Sequence, residues 1–356
     1  MEPYGKTTES PVVDGAKNPI DKITERVNVM LGGEGKVDLR LGDLFSQVFK
    51  RHSQDEADEL FICGTKYTTP TPDKISSSWP KPWLFSRVAI ILLATFYILL
   101  ACFDVFGNEF AIPGIMFVGS LAIPFSTLIF LFEINAPRNV SIFRVVNVFM
   151  LGGAASLFVT LILYQFHSSV SLTIGGAIFV GIVEELGKVL IVAYAINKLH
   201  TTNYILNGLL IGGAVGAGFA VFESAGYAFV AFIAGVVAQN SSGLESMTHN
   251  IIIRGFLSPG GHIAWAAMEG AFLIIVLEGK KFTWPTITSG PFLKLCLFPV
   301  AMHAFYDMPL LQFTVVGLPV KLVALETLAL IVVLVILHRG LAQINQLQGD
   351  LTPKLE

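Results

Sequence analysis

Apolar stretches long enough to cross a lipid bilayer dominate the chain. A transmembrane helix needs about 20 mostly apolar residues, because the hydrocarbon core is about 30 Å thick and each helical residue adds about 1.5 Å. In lipid the backbone must also satisfy its own hydrogen bonds, which a helix does within one segment. The sequence therefore predicts about eight spans, at Leu84–Phe106, Phe110–Phe132, Val145–Tyr164, Val170–Asn197, Tyr204–Ala238, His262–Leu277, Pro291–Tyr306 and Leu318–Leu337.

The composition agrees with an all-α polytopic membrane protein. Of the 356 residues, 53% are hydrophobic and only 14% are charged, and the mean hydropathy of +0.68 is too high for a soluble domain of this length. The net charge of -3 and the absence of a basic patch argue against a nucleic-acid partner. Cys63, Cys102 and Cys296 are far apart without a CxxC pair, so we predict free thiols.

A polar segment precedes the first span. We expect residues 1–82 to form a cytoplasmic segment and linker, 83–340 the transmembrane domain and 341–356 a cytoplasmic tail. The first apolar run begins only near Leu84, so no cleaved signal peptide is expected. Apolar residues at helical spacing between 41 and 49 predict one short helix, and Ser53 followed by Glu56 predicts a second, capped helix through Ile62.

Positive charges in the loops predict the orientation of the spans. Lys and Arg residues follow the second, fourth, sixth and eighth spans, whereas the intervening loops carry almost none. Such positively charged loops are typical of the cytoplasmic side. We therefore predict that both termini lie in the cytoplasm, and we expect a multi-pass protein of the inner (plasma) membrane. The residues that carry this pattern are Arg138, Arg144, Lys198, Lys280, Lys281 and Arg339.

Two carboxylates and an ammonium lie in the middle of the fourth span. A charge at the bilayer centre costs roughly 2.5 to 3.5 kcal/mol on insertion scales, so such residues usually face a protein interior or a wet cavity. Glu184 and Lys188 are one helical turn apart and share a face, with Glu185 turned by about 100°. This triplet predicts a functional site.

The next three spans also carry polar residues. Glu223 lies deep in the fifth span, His262 opens the sixth, and His303 with Asp307 closes the seventh. Polar faces on four consecutive helices predict one shared interior site. By contrast, we interpret Glu269 and Glu326 as structural carboxyl groups that are hydrogen-bonded to neighbouring helices.

Glycines recur every four residues in the fifth span. Gly208, Gly212 and Gly216 form a stripe of small residues, which lets neighbouring helices approach closely. We predict a packing role for this stripe.

A buried acid among histidines suggests hydrolysis of an amide bond. A carboxylate in a water-poor cavity can take a proton from water and return it to a leaving amine. Nearby histidines can donate hydrogen bonds to the developing oxyanion, and the exclusion of bulk water strengthens these contacts.

The ordered motifs resemble those of a known protease family. VEELGK is similar to an EExxK motif, GFAVFE to FxxxE and HAFYD to HxxxD, with the isolated His262 as a further element. Between Gly175 and Pro309 the chain resembles the PrsW family of intramembrane proteases. That family belongs to the Abi superfamily, together with the type II prenyl-CAAX proteases.

The resemblance implies roles for individual residues. Glu184 would be the base that activates water, with Glu185 beside it and Lys188 neutralising part of the charge. Glu223 stands where prenyl-CAAX relatives have a histidine, and Asp307 where they often have an asparagine. These differences favour the PrsW branch, whose bacterial members resemble first-site proteases that cut a membrane-anchored anti-sigma factor. The implied partners are the bilayer and a membrane-anchored protein substrate.

Two mechanisms stay open at this point. Glu184, Glu223, His262 and His303 could hold Zn²⁺ with one open position for water. However, the chain has no HExxH helix, which slightly favours a glutamate-centred site. The sequence establishes no cofactor.

Two other classes of protein fit parts of the pattern. An ion-coupled transporter also carries acids and a lysine within spans, but it usually shows internal repeats, which this chain lacks. A membrane protein that only binds a partner would have no need for the complete motif set.

Overall fold

The computed structural model describes residues 18–166, 173–199, 203–238, 243–315 and 318–351. The protein is 76% helical, which confirms the all-α class. A π-helical turn, Val148–Gly152, joins α6 to α7, and an antiparallel pair of two-residue strands, β1 (Thr314–Val315) and β2 (Leu318–Pro319), follows α12. The helices are α1 (Pro19–Met30), α2 (Leu41–Phe45), α3 (Gln54–Phe61), α4 (Leu84–Phe106), α5 (Ala111–Glu133), α6 (Ile142–Asn147), α7 (Gly153–Tyr164), α8 (Ile174–Leu199), α9 (Ile205–Ala238), α10 (Gly243–Leu257), α11 (His262–Leu277), α12 (Gly290–Asp307) and α13 (Val320–Leu351).

Within the described ranges, six helical segments are long and apolar enough to cross a membrane. The protein is therefore polytopic, but the predicted count of eight spans is not confirmed. The two predicted spans outside this set are α8 and α12, which carry several of the polar site residues and are correspondingly less apolar. Both nevertheless pack within the bundle, α8 against α7 and α9, and α12 against α8 and α11. The six segments are Leu84–Phe106, Ala111–Glu133, Ile142–Tyr164, Ile205–Val237, Gly243–Leu277 and Val320–Gly349.

Helix α9 is the centre of the bundle and contacts α5, α7, α10 and α11. Its glycine stripe lies directly against the backbone of α11. A Cβ atom at Gly208, Gly212 or Gly216 would collide with the carbonyl oxygen of Gly270, Ala266 or His262, respectively. The predicted packing role is thus confirmed, and this close approach fixes the height of His262 along α9.

The segment before His262 differs from the sequence prediction. The sequence predicts a loop between the fifth and sixth spans, yet Gly243–Leu257 forms α10, which packs on α9 and α5. Pro259, Gly260 and Gly261 interrupt the helix before α11 begins, as expected for a residue without an N–H and two glycines. His262 therefore follows a break inside one long apolar segment, Gly243–Leu277, instead of opening a span of its own.

The N-terminal segment folds partly as predicted. The capping box is present, because Ser53 accepts from the Glu56 N–H and Glu56 accepts from the Ser53 N–H. The helical pattern between residues 41 and 49 yields only the short α2, followed by turns. Helix α1 was not predicted.

The N-terminal segment docks on the end of the bundle where α5 ends and α9 begins. The Arg138 guanidinium donates to the Glu59 carbonyl, and the Glu133 carboxylate accepts the N–H groups of residues 83–85 at the start of α4. Arg339 of α13 donates to the Gly32 carbonyl at 2.6 Å.

Candidate active site

Helix α8 places its charged triplet in the interior of the bundle. Lys188 pairs with Glu185 at 2.6 Å, and neither side chain is exposed. Glu184 and Lys188 were predicted to share a face, but they do not form an ion pair. Lys188 instead pairs with Glu185, three residues before it. Glu184 turns the other way, where its Oε1 accepts from the Tyr164 hydroxyl at 2.6 Å.

His303 of α12 lies between the two glutamates. Its Nδ1 is 2.5 Å from Glu185 Oε1. Its Nε2 is 3.7 Å from Glu184 Oε2 and 3.5 Å from Asp307 Oδ2. Carboxylates therefore face both nitrogens of a buried imidazole.

His262 of α11 links α8 to α9. Its Nδ1 is 2.8 Å from Lys188 Nζ, and its Nε2 is 2.9 Å from Glu223 Oε2. The rings of His262 and His303 lie 5.0 Å apart. The structure thus brings together all seven residues that the sequence singled out, namely Glu184, Glu185, Lys188, Glu223, His262, His303 and Asp307; their individual roles stay predictions.

Aromatic side chains enclose the cluster. Trp265 stacks on His303 with centroids 4.5 Å apart, and Lys188 Nζ lies 4.5 Å from the centroid of the Phe219 ring. Phe219 is the first residue of the FxxxE motif, one turn before Glu223. The rings exclude water and limit the rotamers of the charged groups, which favours a fixed geometry.

Sequence reasoning missed two residues of the site. Arg254 of α10 pairs with Glu223 at 2.6 Å, donates to Ser224 at 3.0 Å and lies over the Tyr227 ring. Tyr164 of α7 binds Glu184. The signal for Arg254 was its isolation, since it is the only Lys or Arg between residues 239 and 261. Once that segment is recognised as a membrane helix, its arginine needs an acidic partner.

A cavity of about 450 Å³ adjoins the cluster. It reaches the C-terminal ends of α7 and α12, which is the half of the bundle away from the docked N-terminal segment. The space can admit a short extended stretch of polypeptide. Its polar lining includes Tyr164, Glu184, Glu223, Arg254, His262, His303 and Asp307.

The two glutamates predicted as structural differ in their surroundings. Glu326 accepts a hydrogen bond from the Gly260 N–H at 2.6 Å. Glu269 is buried beside Glu185, outside the cavity lining, and within the described ranges neither of its oxygens has a hydrogen-bond donor. A structural role for Glu269 stays a prediction.

Three residues of the cluster fit the donor set of a divalent metal. Glu184, His262 and His303 can each bring one ligand atom within 4.8 Å of the others. Glu184 Oε2 is buried without a hydrogen-bond donor among the described residues. The contact of His303 Nδ1 with Glu185 directs Nε2 towards Glu184 and Asp307, as in carboxylate–histidine–zinc arrangements.

His262 fits the metal less well. Its Nδ1 faces the Lys188 ammonium, which has three donors and no lone pair. Nδ1 must then accept, so Nε2 carries the proton and donates to Glu223. Ligation by His262 would require this lysine contact or this carboxylate contact to be given up.

Fold and site together define a polytopic membrane protein with an enclosed cluster of acids and imidazoles beside a cavity. The model of the family described as PrsW family intramembrane metalloprotease matches residues 141–338, more than half of the chain. The chain belongs to this family, and all seven predicted site residues lie within the match. Neither the curated proteins nor the solved structures contain a match to the chain. The family makes the protein a membrane peptidase, whose partners are the bilayer and a protein substrate.

Proposed function

We propose that the protein is an intramembrane endopeptidase in which Glu184 activates the water that attacks a peptide bond of a membrane-anchored substrate. The observation that carries this proposal is the position of the Glu184 carboxylate. Glu184 lines the cavity; one of its oxygens is held by the Tyr164 hydroxyl, while the buried Oε2 has no donor among the described residues. A base needs such an oxygen, held in place by its partner but free to accept a proton.

The proposed hydrolysis uses the residues in a defined order. Glu184 Oε2 accepts a proton from water as the water oxygen attacks the carbonyl carbon. The carboxylates of Glu185 and Asp307 on either side of His303 stabilise its imidazolium form, whose Nε2–H donates to the developing oxyanion. Glu184 then passes its proton to the leaving amine as the C–N bond breaks, which restores the carboxylate.

The remaining charged residues hold this arrangement. Lys188 partly neutralises Glu185 and bonds His262. Arg254 partly neutralises Glu223. A buried charge without a partner costs several kcal/mol, so the two ion pairs keep the polar cluster stable in an apolar bundle.

The metal-dependent alternative is favoured by the family description and by the fit of Glu184 and His303. A bound divalent cation would polarise the scissile carbonyl and acidify its water. Glu184, His303 and, after release of one contact, His262 would hold it. In that case Nε2 of His303 would be a ligand and not a donor to the oxyanion.

We also propose eight crossings, with both termini in the cytoplasm of a cell with an inner (plasma) membrane. An even number of crossings is supported by contacts between the N-terminal segment and the end of α13. Arg339 donates to the Gly32 carbonyl, and the Gln348 amide donates to the carbonyls of Pro72 and Ile75. The cavity, in the other half of the bundle, would then face the outer half of the membrane.

This placement favours a substrate cut on its extracytoplasmic side, such as a membrane-anchored anti-sigma factor. On the ordered motifs alone, we also propose the wider relationship to the Abi superfamily and the type II prenyl-CAAX proteases, although Glu223 and Asp307 argue against a prenylated substrate.

The test compares membrane proteomes of cells that express the parent or Glu184→Gln at equal levels. We expect at least one membrane-anchored protein to be shortened only with the parent, with a new terminus at one peptide bond. The same bond should be cut when the purified parent and that protein are combined in nanodiscs. Identical proteomes and no cleavage in nanodiscs would contradict the proposed function.

A further inference from the structure

Helix α13 contributes no side chain to the cluster, but it carries two buried ionisable residues at the same depth as the site. Lys321 is 9% exposed and Glu326 is 8% exposed. Both contact the backbone of helices that present the histidines, and neither is used in the hydrolysis described above.

Lys321 holds the end of α12. Its Nζ donates to the carbonyl of Tyr306 at 2.8 Å and to that of Met308 at 2.6 Å. These two carbonyls flank Asp307 at the helix C-terminus, where the last carbonyls lack partners within the helix and a cation is stabilising. Lys321 thereby fixes the turn that carries both His303 and Asp307.

Glu326 holds the break that precedes α11. Its Oε2 accepts from the Gly260 N–H at 2.6 Å, two residues before His262. A Cβ atom at Gly260 would overlap the Glu326 carboxylate and approach the backbone of Glu326, so the break lies directly on α13. Without this bond, the Gly260 N–H would be a buried donor without its partner.

We propose that Lys321 and Glu326 are positioning residues, through which α13 sets the position of His262 relative to His303 and Asp307. The two histidine rings are 5.0 Å apart and come from different helices. A displacement of about 1 Å at either helix end can cost up to about a hundredfold in rate, even when it occurs away from the reacting atoms. The catalytic consequence rests on the proposed protease function, whereas the backbone restraint does not.

Paired substitutions at each position test the proposal. Glu326→Gln keeps a carbonyl oxygen for the Gly260 N–H, and Lys321→Arg keeps donors for the two carbonyls, whereas Glu326→Leu and Lys321→Met remove the bonds. Thr327→Val is the matched control, because Thr327 is the exposed neighbour on α13 and its hydroxyl bonds only its own helix.

The first measurement is hydrogen–deuterium exchange of the purified full-length chain in nanodiscs, which needs no substrate. We expect faster exchange of residues 258–263 in Glu326→Leu and of residues 304–310 in Lys321→Met, with parental exchange in the paired variants and the control. The second is steady-state cleavage of the substrate identified by the proteomic comparison. The apolar variants should lose about tenfold or more in kcat with little change in KM.

Several results would overturn the proposal. Parental exchange and parental kcat in both apolar variants would show that α13 does not position the site. Equal loss in Glu326→Gln and Glu326→Leu would show that the hydrogen bond is not what matters. If Glu326→Leu does not fold, Glu326→Ala is measured in its place under the same criteria. Absence of cleavage by the parent would refute the proposed function, yet the exchange data would still decide whether α13 restrains the two helix ends.

Discussion

Glu184 lines the cavity, and its carboxylate has one oxygen held by Tyr164 and a buried second oxygen without a hydrogen-bond donor among the described residues. Replacement by Gln keeps the shape of the side chain but removes the proton acceptor. We expect Glu184→Gln to lower cleavage by a factor of at least about 10², as is typical for loss of a general base. Expression and membrane insertion should stay near those of the parent, since a buried ionisable group is removed. The measurement is cleavage per folded molecule in nanodiscs.

A matched control comes from a glutamate at the other end of the bundle. The Glu133 carboxylate accepts three N–H groups at the start of α4, far from the cavity. Glu133→Gln should lower the melting temperature but leave the cleavage rate unchanged. Glu269 is less suitable as a control, because it lies beside Glu185. If Glu184→Gln cleaved as fast as the parent, the base would have to be another carboxylate.

The ring nitrogens of His262 give an expectation about metal. Because Nδ1 faces the Lys188 ammonium and Nε2 faces Glu223, we expect the glutamate-centred mechanism to operate. Cleavage should then survive dialysis against EDTA, and elemental analysis of the active protein should find less than one divalent metal per chain. Loss of cleavage with the chelator, restored by Zn²⁺, together with loss of bound zinc in His303→Ala, would establish the metal-dependent alternative.

Seven of the residues that meet in the site could be predicted from the sequence, but their pairing could not. Charges in apolar spans are conspicuous because each one is costly in lipid. On a helix, however, residues three and four apart are both neighbours, so spacing cannot decide whether Lys188 pairs with Glu185 or contacts Glu184. The partners Tyr164 and Arg254 depend on which helices adjoin α8 and α9, which no local pattern encodes.

At the level of helices, the contact between α9 and α11 determines where His262 lies. Gly212→Ala adds a methyl group that meets the Ala266 carbonyl, so α11 must move away. We expect a loss of roughly 1 to 3 kcal/mol in stability and a lower cleavage rate, because His262 moves with its helix. The matched control is Gly226→Ala on the same helix, where a Cβ atom would have no neighbour within 4 Å.

The two glycine variants are compared by melting temperature and by cleavage per folded molecule. Gly226→Ala should be as stable as the parent or slightly more so, since alanine favours the helix by up to about 1 kcal/mol. If Gly212→Ala matched Gly226→Ala in both measurements, the close approach of α9 and α11 would not determine the site geometry.

Helix bounds followed closely from apolar periodicity where the run was uninterrupted. The first span was predicted as Leu84–Phe106, the bounds of α4. Helix α10 was missed because Glu245, His249 and Arg254 make Gly243–Leu257 resemble a loop. Glu223, the partner of Arg254, lies on another helix. The segment is therefore recognisable as membrane-embedded only after the bundle is assembled.

For the molecule as a whole, the docked N-terminal segment and the cavity lie in opposite halves of the bundle. Phe313 is exposed in the segment that follows Asp307 and the cavity. Lys280 follows α11. The end of α11 lies near the N-terminal segment, since Glu278 and Leu31 line the same pocket. The loop charges predict that the end of the bundle with Lys280 lies in the cytoplasm. These two positions therefore report opposite sides of the membrane.

Single cysteines at the two positions test this orientation in intact cells. Cys63, Cys102 and Cys296 are first replaced by serine or alanine, and the variant must keep parental cleavage. We expect Phe313→Cys to react with a membrane-impermeant maleimide from outside, and Lys280→Cys to react only after permeabilisation, because the loop charges predict a cytoplasmic N-terminal segment and the cavity lies in the opposite half of the bundle. Labelling of Phe313→Cys only after permeabilisation would place the site towards the cytoplasm and exclude extracytoplasmic cleavage. The proposed topology has one crossing, α12, between the two positions. Labelling of both positions from the same side would therefore contradict this topology.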